Sequence, residues 1–238
     1  MTIGELFQLQ GPRFGPVAGG VAGAPARAPA GGPTRGPARE LVVLLHGLGA
    51  DGNDLIELAP HLARGLPHAA FVAPDAPFPC DMAPYGRQWF SLQDRHPEAM
   101  LGGARMAAPI LDGFLDQELA RHGLGDERLA LIGFSQGTMM ALHVALRRPR
   151  PCAQVVGFSG HLIGAEVLAE EIKSRPPVLL IHGDADEIVP VQALPAAVAA
   201  LEASQVPVTA EVRPGLGHGI DPHGVALAVQ ALEAAFAA

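Results

Sequence analysis

A serine flanked two residues away on each side by glycine stands at Gly133-Phe134-Ser135-Gln136-Gly137. The apolar run Leu129-Ala130-Leu131-Ile132 leads straight into it, and helical sequence follows at once. In such a strand–turn–helix setting the serine can sit on a tight, strained turn with its hydroxyl raised above a sheet. The flanking glycines remove side chains that would collide with neighbouring backbone. The helix that starts at Gln136 directs its N-terminal dipole toward developing negative charge. A serine here could instead serve only as a helix cap, so the motif gains meaning from its partners.

A serine hydroxyl is a weak nucleophile and needs a base within hydrogen-bond reach. In this arrangement an acid and then a histidine are expected later in the chain, on loops at the same sheet edge. Five histidines follow Ser135: His143, His161, His182, His218 and His223. His143 falls mid-helix, and His182 ends a strand beside a glycine, where it would support the loop. His218 lies in the glycine-rich loop Pro214-Gly215-Leu216-Gly217-His218-Gly219, after the last strand, which is where a late base belongs. His223, at the start of the final helix, is its main rival and reads as solvated.

For the acid, Asp184, Asp186 and Glu187 compete within Gly183-Asp184-Ala185-Asp186-Glu187. Asp184 can close the loop on nearby backbone N–H groups. Asp186 lies further out, and position alone favours it only slightly. A carboxylate there would orient the imidazole and stabilise the imidazolium without taking its proton. An oxyanion hole needs two backbone donors. One is expected from the residue after the nucleophile, Gln136, and the other from the loop after an early strand. Leu44-Leu45-His46-Gly47-Leu48-Gly49 supplies that loop, with glycines on both sides of Leu48.

These residues require a scaffold that brings several loops to one edge. Leu41–Leu45 is an apolar run of the kind buried on both faces of a sheet. Strands are predicted at 69–72, 128–133, 152–158, 177–181 and 206–212. Helices are predicted at 53–64, with Asn53 as cap and Gly65 as stop, and at 100–122, 136–148, 191–203 and 222–236. Pro109 falls inside the second of these and marks either a kink or a restart. Gly11–Phe14 can form part of an edge strand. The alternation predicts an α/β fold with a mostly parallel central sheet and helices on both faces.

Residues 15–40 stand apart: Gly, Pro and Ala are dense and apolar periodicity is absent. The expected organisation is an irregular arm over 1–40, with any edge strand inside it, and a catalytic domain over 41–238. An active-site cover or an oligomer contact is the functional alternative for the arm. Residues 74–98 form a second turn-rich stretch, carrying the sole tryptophan, Trp89, and the sole tyrosine, Tyr85.

The 238 residues are 49% hydrophobic, enough for one large core, and the formal net charge is −8. No Lys/Arg stripe suited to nucleic acid is present, and no window of about 20 apolar residues could span a membrane. Two cysteines make a disulfide framework improbable, and reduced thiols are expected, with Cys152 a small buried hydrophobe. Met1–Gln10 lacks an export-signal pattern, so a cytoplasmic location is expected.

Four motifs now occur in order: His46-Gly47-Leu48-Gly49-Ala50-Asp51-Gly52-Asn53-Asp54, Gly133-Phe134-Ser135-Gln136-Gly137, His182-Gly183-Asp184-Ala185-Asp186-Glu187-Ile188-Val189-Pro190 and Gly217-His218-Gly219-Ile220. Together they resemble the phospholipase/carboxylesterase family of α/β-hydrolases, which includes bacterial carboxylesterases and acyl-protein thioesterases. The resemblance runs from about Leu41 to the C-terminus. It implies an α/β-hydrolase fold and a triad of Ser135, Asp186 and His218. The family's acid precedes a two-residue gap and Val-Pro, which selects Asp186 over Asp184. Leu48 and Gln136 match its oxyanion donors. Gly86-Arg87-Gln88-Trp89-Phe90 is similar to the segment lining the family's cleft, so Trp89 and Phe90 are expected at the substrate unless they are core. The long arm at 15–40 departs from the pattern.

The implied activity is a serine carboxylesterase acting on small to medium apolar esters. An acyl-protein thioesterase or lysophospholipase is the alternative, and a non-catalytic binding protein is the alternative of another class. No metal or cofactor is required, since His218 and His223 without further ligands are a weak metal pair. The expected partner is a small-molecule ester or thioester. Homodimer formation stays open.

Overall fold

The computed structural model describes residues 8–16 and 36–238. Residues 1–7 and 17–35 of the expected arm lie outside the described residues. Seven strands form the main sheet, in the order β1-β3-β2-β6-β7-β8-β9. They are β1 (Arg13–Phe14), β2 (Glu40–Leu45), β3 (Ala69–Val72), β6 (Leu129–Phe134), β7 (Gln154–Phe158), β8 (Val178–Gly183) and β9 (Val208–Arg213). Every neighbouring pair is parallel except β1, which runs antiparallel along β3. The expected edge strand is thus present, cut to two residues.

Alternation along each strand builds two cores. Leu41, Val43 and Leu45 of β2 face one side with Leu129 and Leu131 of β6. There they meet α3 (Pro97–His122), α4 (Gln136–Ala145), α5 (Leu168–Glu171) and α6 (Ala193–Ala203) through residues such as Leu111, Leu142, Leu168 and Leu201. Val42 and Leu44 face the other side with Ala130 and Ile132. That layer is closed by α1 (Gly52–Ile56), α2 (Ala59–Leu62) and α7 (Pro222–Ala237), through Leu55, Leu62 and Leu232. A strand apolar at every position is therefore explained by helices on both faces.

Three local readings change. The helix predicted at 53–64 is two short helices that meet at Glu57–Leu58, with Pro60 in the first turn of the second. Its cap is Asp51, whose side chain accepts from Asn53 N–H, not Asn53 itself. Pro109 neither breaks nor restarts α3, which is continuous over 26 residues with that proline exposed. It ends at Gly123 in the left-handed region. Within the turn-rich stretch, β4 (Phe78–Pro79) and β5 (Arg87–Gln88) pair as a small antiparallel ribbon. Both cysteines are free, and burial pushes the Cys152 thiol up to about 12. No helix among the described residues is long and apolar enough to cross a membrane.

Candidate active site

Ser135 occupies the turn between β6 and α4 with φ 53° and ψ −116°. That conformation is strained for a residue with a Cβ. Close packing holds it. A Cβ on Gly137 would lie 1.8 Å from the Leu45 carbonyl oxygen, and one on Gly133 would lie 2.4 Å from Thr138 N. Only glycine lets the elbow approach β2 and turn back on itself. Ser135 N–H donates to the Phe158 carbonyl at 2.8 Å, tying the elbow to β7. The Ser135 side chain makes no cap bond to α4, so the helix-cap alternative does not describe it.

The loops after β8 and β9 bring Asp186 and His218 together. His218 Nδ1 lies 2.8 Å from Asp186 Oδ2. The other oxygen, Oδ1, accepts from Ile188 and Val189 N–H, each at 2.9 Å. Burial opposes ionisation of Asp186, but bonds from His218 and these two N–H groups outweigh it and hold the carboxyl below its ordinary range. His182 backs the same loop: its Nε2 lies 2.8 Å from the Val189 carbonyl and 3.3 Å from Asp186 Oδ2. The Phe134 ring lies 4.8 Å from the His218 ring, which sets the imidazole beside the residue preceding Ser135.

The competing residues point elsewhere. Asp184 accepts from Gly215 N–H at 2.6 Å, clasping the β8 loop to the β9 loop. Glu187 and His223 are exposed.

Leu48 lies in the loop after β2, at the same edge. His46 anchors that loop. Its Nδ1 lies 2.7 Å from the Gly47 carbonyl, and its Nε2 lies 2.9 Å from Ala76 N. Since Ala76 N–H can only donate, Nε2 is the acceptor and Nδ1 carries the proton. Burial lowers the His46 pKa, in keeping with a neutral ring. The ribbon braces the loop from outside. Gly49 N–H donates to the Arg87 carbonyl at 2.9 Å, and Arg87 N–H donates to the Ala50 carbonyl at 2.8 Å. Sequence reasoning passed over both His46 and Arg87 as supports. The signal for His46 was a histidine inside a glycine loop, but its partner at Ala76 is 30 residues away.

Trp89 and Phe90 take the core alternative. They are 0% and 2% exposed and belong to the core. They act behind the site: Trp89 Nε1 donates to the His46 carbonyl at 3.0 Å. The Gln136 side chain accepts from Trp89 N–H at 2.9 Å and donates to the Phe90 carbonyl at 2.7 Å. One glutamine thus locks the start of α4 to the segment that supports the loop carrying Leu48.

Residues 32–235 match the family described as Phospholipase/Carboxylesterase. The chain is 30% identical to esterase YpfH of Escherichia coli (strain K12) over 195 residues, 82% of each chain. It is 30% identical to acyl-protein thioesterase 1 of Kluyveromyces lactis over 167 residues, covering 65% of this chain and 73% of that one. The crystal structure of esterase PE8 superposes with a TM-score of 0.84 at 40% identity, covering 95% of this chain and 99% of that one. The chain therefore belongs to the phospholipase/carboxylesterase family of α/β-hydrolases and is a serine hydrolase acting on esters.

Proposed function

We propose that ester hydrolysis proceeds through an acyl-enzyme on Ser135, with His218 as base, Asp186 as its orienting acid, and Leu48 and Gln136 N–H as oxyanion donors. One observation carries this assignment: the His218–Asp186 bond stands beside Phe134, the residue before a strained serine whose hydroxyl is not used as a helix cap. Because Nδ1 is engaged by Asp186, Nε2 is the nitrogen left to take a proton. His218 removes the Ser135 proton as Oγ attacks the ester carbonyl carbon. The carbonyl oxygen becomes an oxyanion held by the two N–H groups. His218 then returns the proton to the departing alcohol. Water repeats the sequence on the acyl-enzyme and releases the acid. Each step is a proton transfer or an acyl transfer, and none calls for a metal or cofactor.

The substrate class we assign is small to medium apolar carboxylic esters. A thioesterase reading rests on the similarity to an acyl-protein thioesterase. Matched oxygen esters and thioesters, compared across acyl lengths, separate the two. Wild-type turnover is expected in the oxygen-ester series, with Ser135→Ala about ten-thousand-fold slower or worse. Equal rates for wild type and Ser135→Ala would reject Ser135 as the nucleophile. A strong preference for thioesters would reject the carboxylesterase assignment.

A further inference from the structure

The acyl-enzyme chemistry divides the substrate between two sides of Ser135. The acyl oxygen must lie at Leu48 and Gln136. The leaving oxygen must lie at His218, which protonates it. An open groove begins beside Phe134 and Ile220, chain neighbours of Ser135 and His218, and the mechanism leaves it without a role. Its near section, about 340 Å³, has Leu55, Leu58, Phe134 and Ile220 among its lining residues. Phe134 is the residue before Ser135 and touches the His218 ring, and Ile220 is two residues beyond His218. The far section, about 580 Å³, shares Leu58, His61 and Ile220 and continues past Val225 and Val229 of α7, with Arg64 and Asp221 also among its lining residues. Leu58, Phe134, Ile220, Val225 and Val229 are all partly buried, leaving apolar surface along the trough. Asp54 and Glu57 line the near section as well, which disfavours an anionic group there.

We propose that this groove between the α1–α2 corner and α7 is the subsite for the leaving alcohol, and that it selects an uncharged alkyl chain. The proposal rests on the triad assignment above, because that assignment puts the leaving atom at His218. Its consequence is specific. The alcohol has gone once the acyl-enzyme forms, so the groove acts on acylation and not on deacylation. Wild-type kcat/KM is expected to rise about two- to fourfold per methylene added to the alcohol, in keeping with burial of each methylene against apolar surface.

The test uses two ester series on the full chain: acetates of alcohols from methyl to octyl, and methyl esters of acids from acetic to octanoic. Leu58→Trp fills the groove at a residue common to both sections. Val225→Trp fills only the far section and covers the case in which the first variant folds poorly. Both are expected to lower kcat/KM for octyl acetate tenfold or more while leaving the methyl-ester series and the acyl-enzyme hydrolysis rate unchanged. Loss that follows acyl length would make the groove an acyl site and overturn the proposal. Equal behaviour of wild type and both variants across the alcohols would overturn it too. Ser135→Ala is run beside them: full activity in that variant would overturn the triad assignment itself, an outcome distinct from failure of the groove alone.

Discussion

At the scale of single residues, geometry separates groups that sequence position could not. Asp186 has both carboxylate oxygens engaged in orienting His218 and its own loop, whereas Asp184 clasps Gly215. Asp186→Asn should lower kcat about ten-thousand-fold, since the amide would hold the wrong tautomer. Asp184→Asn should lower it less than tenfold, and steady-state kinetics on one ester decides the order. His46 makes a prediction about pH. Its folded pKa is depressed, so the unfolded chain takes up this proton first as pH falls through about 6.5. Its stabilising contribution is complete above that pH and declines below it toward the folded pKa. His143, pushed down to about 4 by burial, adds in the same direction. Urea unfolding from pH 8 to pH 5 should therefore show falling stability below 6.5, with a shallower decline in His46→Gln. A parallel decline in the two proteins would exclude His46 as a contributor.

Elements position these residues by touching backbone to backbone. The β4–β5 ribbon has no core of its own; its backbone bonds to Gly49 and Ala50 hold the loop that carries Leu48. Gly86, at φ 82°, approaches so closely that a Cβ would lie 2.0 Å from the Gly49 carbonyl oxygen. Gly86→Ala should push the ribbon off this loop and misplace the Leu48 N–H. The expected result is a loss of about a hundredfold in kcat/KM, with unchanged far-UV circular dichroism. Activity within twofold of wild type would show that the ribbon does not set the loop.

At the scale of the whole molecule, a buried charge cluster lies at the sheet edge opposite Ser135. Arg148, only 4% exposed, binds Asp126 through Nε at 2.7 Å and Asp116 through Nη2 at 2.8 Å, and also bonds Asp112. It thereby ties the end of α4 to α3 and to the segment entering β6, at the edge away from Ser135. Asp126 is 2% exposed, so Arg148→Met would strip a buried carboxylate of one of its two cationic partners, leaving the exposed Arg150. Such a deletion is expected to cost about 3–5 kcal/mol in urea unfolding. The kcat of the folded protein at low temperature should stay unchanged. A fall in kcat without a fall in stability would contradict this separation of edges.

The sequence by itself determined the layer pattern and the short motifs. Apolar runs without alternation implied strands covered on both faces, and the spacing of glycine around Ser135 implied a tight elbow. Those features depend on contacts within a few residues or on a repeated period, and both are written locally in the chain. The tertiary structure decided what depends on distant partners. Trp89 and Phe90 are core, and Gln136, more than 40 residues away, bonds their backbone. His46 gained its role from Ala76, Asp186 meets His218 where Asp184 meets Gly215, and Glu57–Leu58 broke a helix whose periodicity read as continuous. Side-chain type and spacing set what chemistry the chain can offer. Only long-range packing sets which copy of a residue type faces its partner, because that choice rests on contacts between segments far apart in sequence.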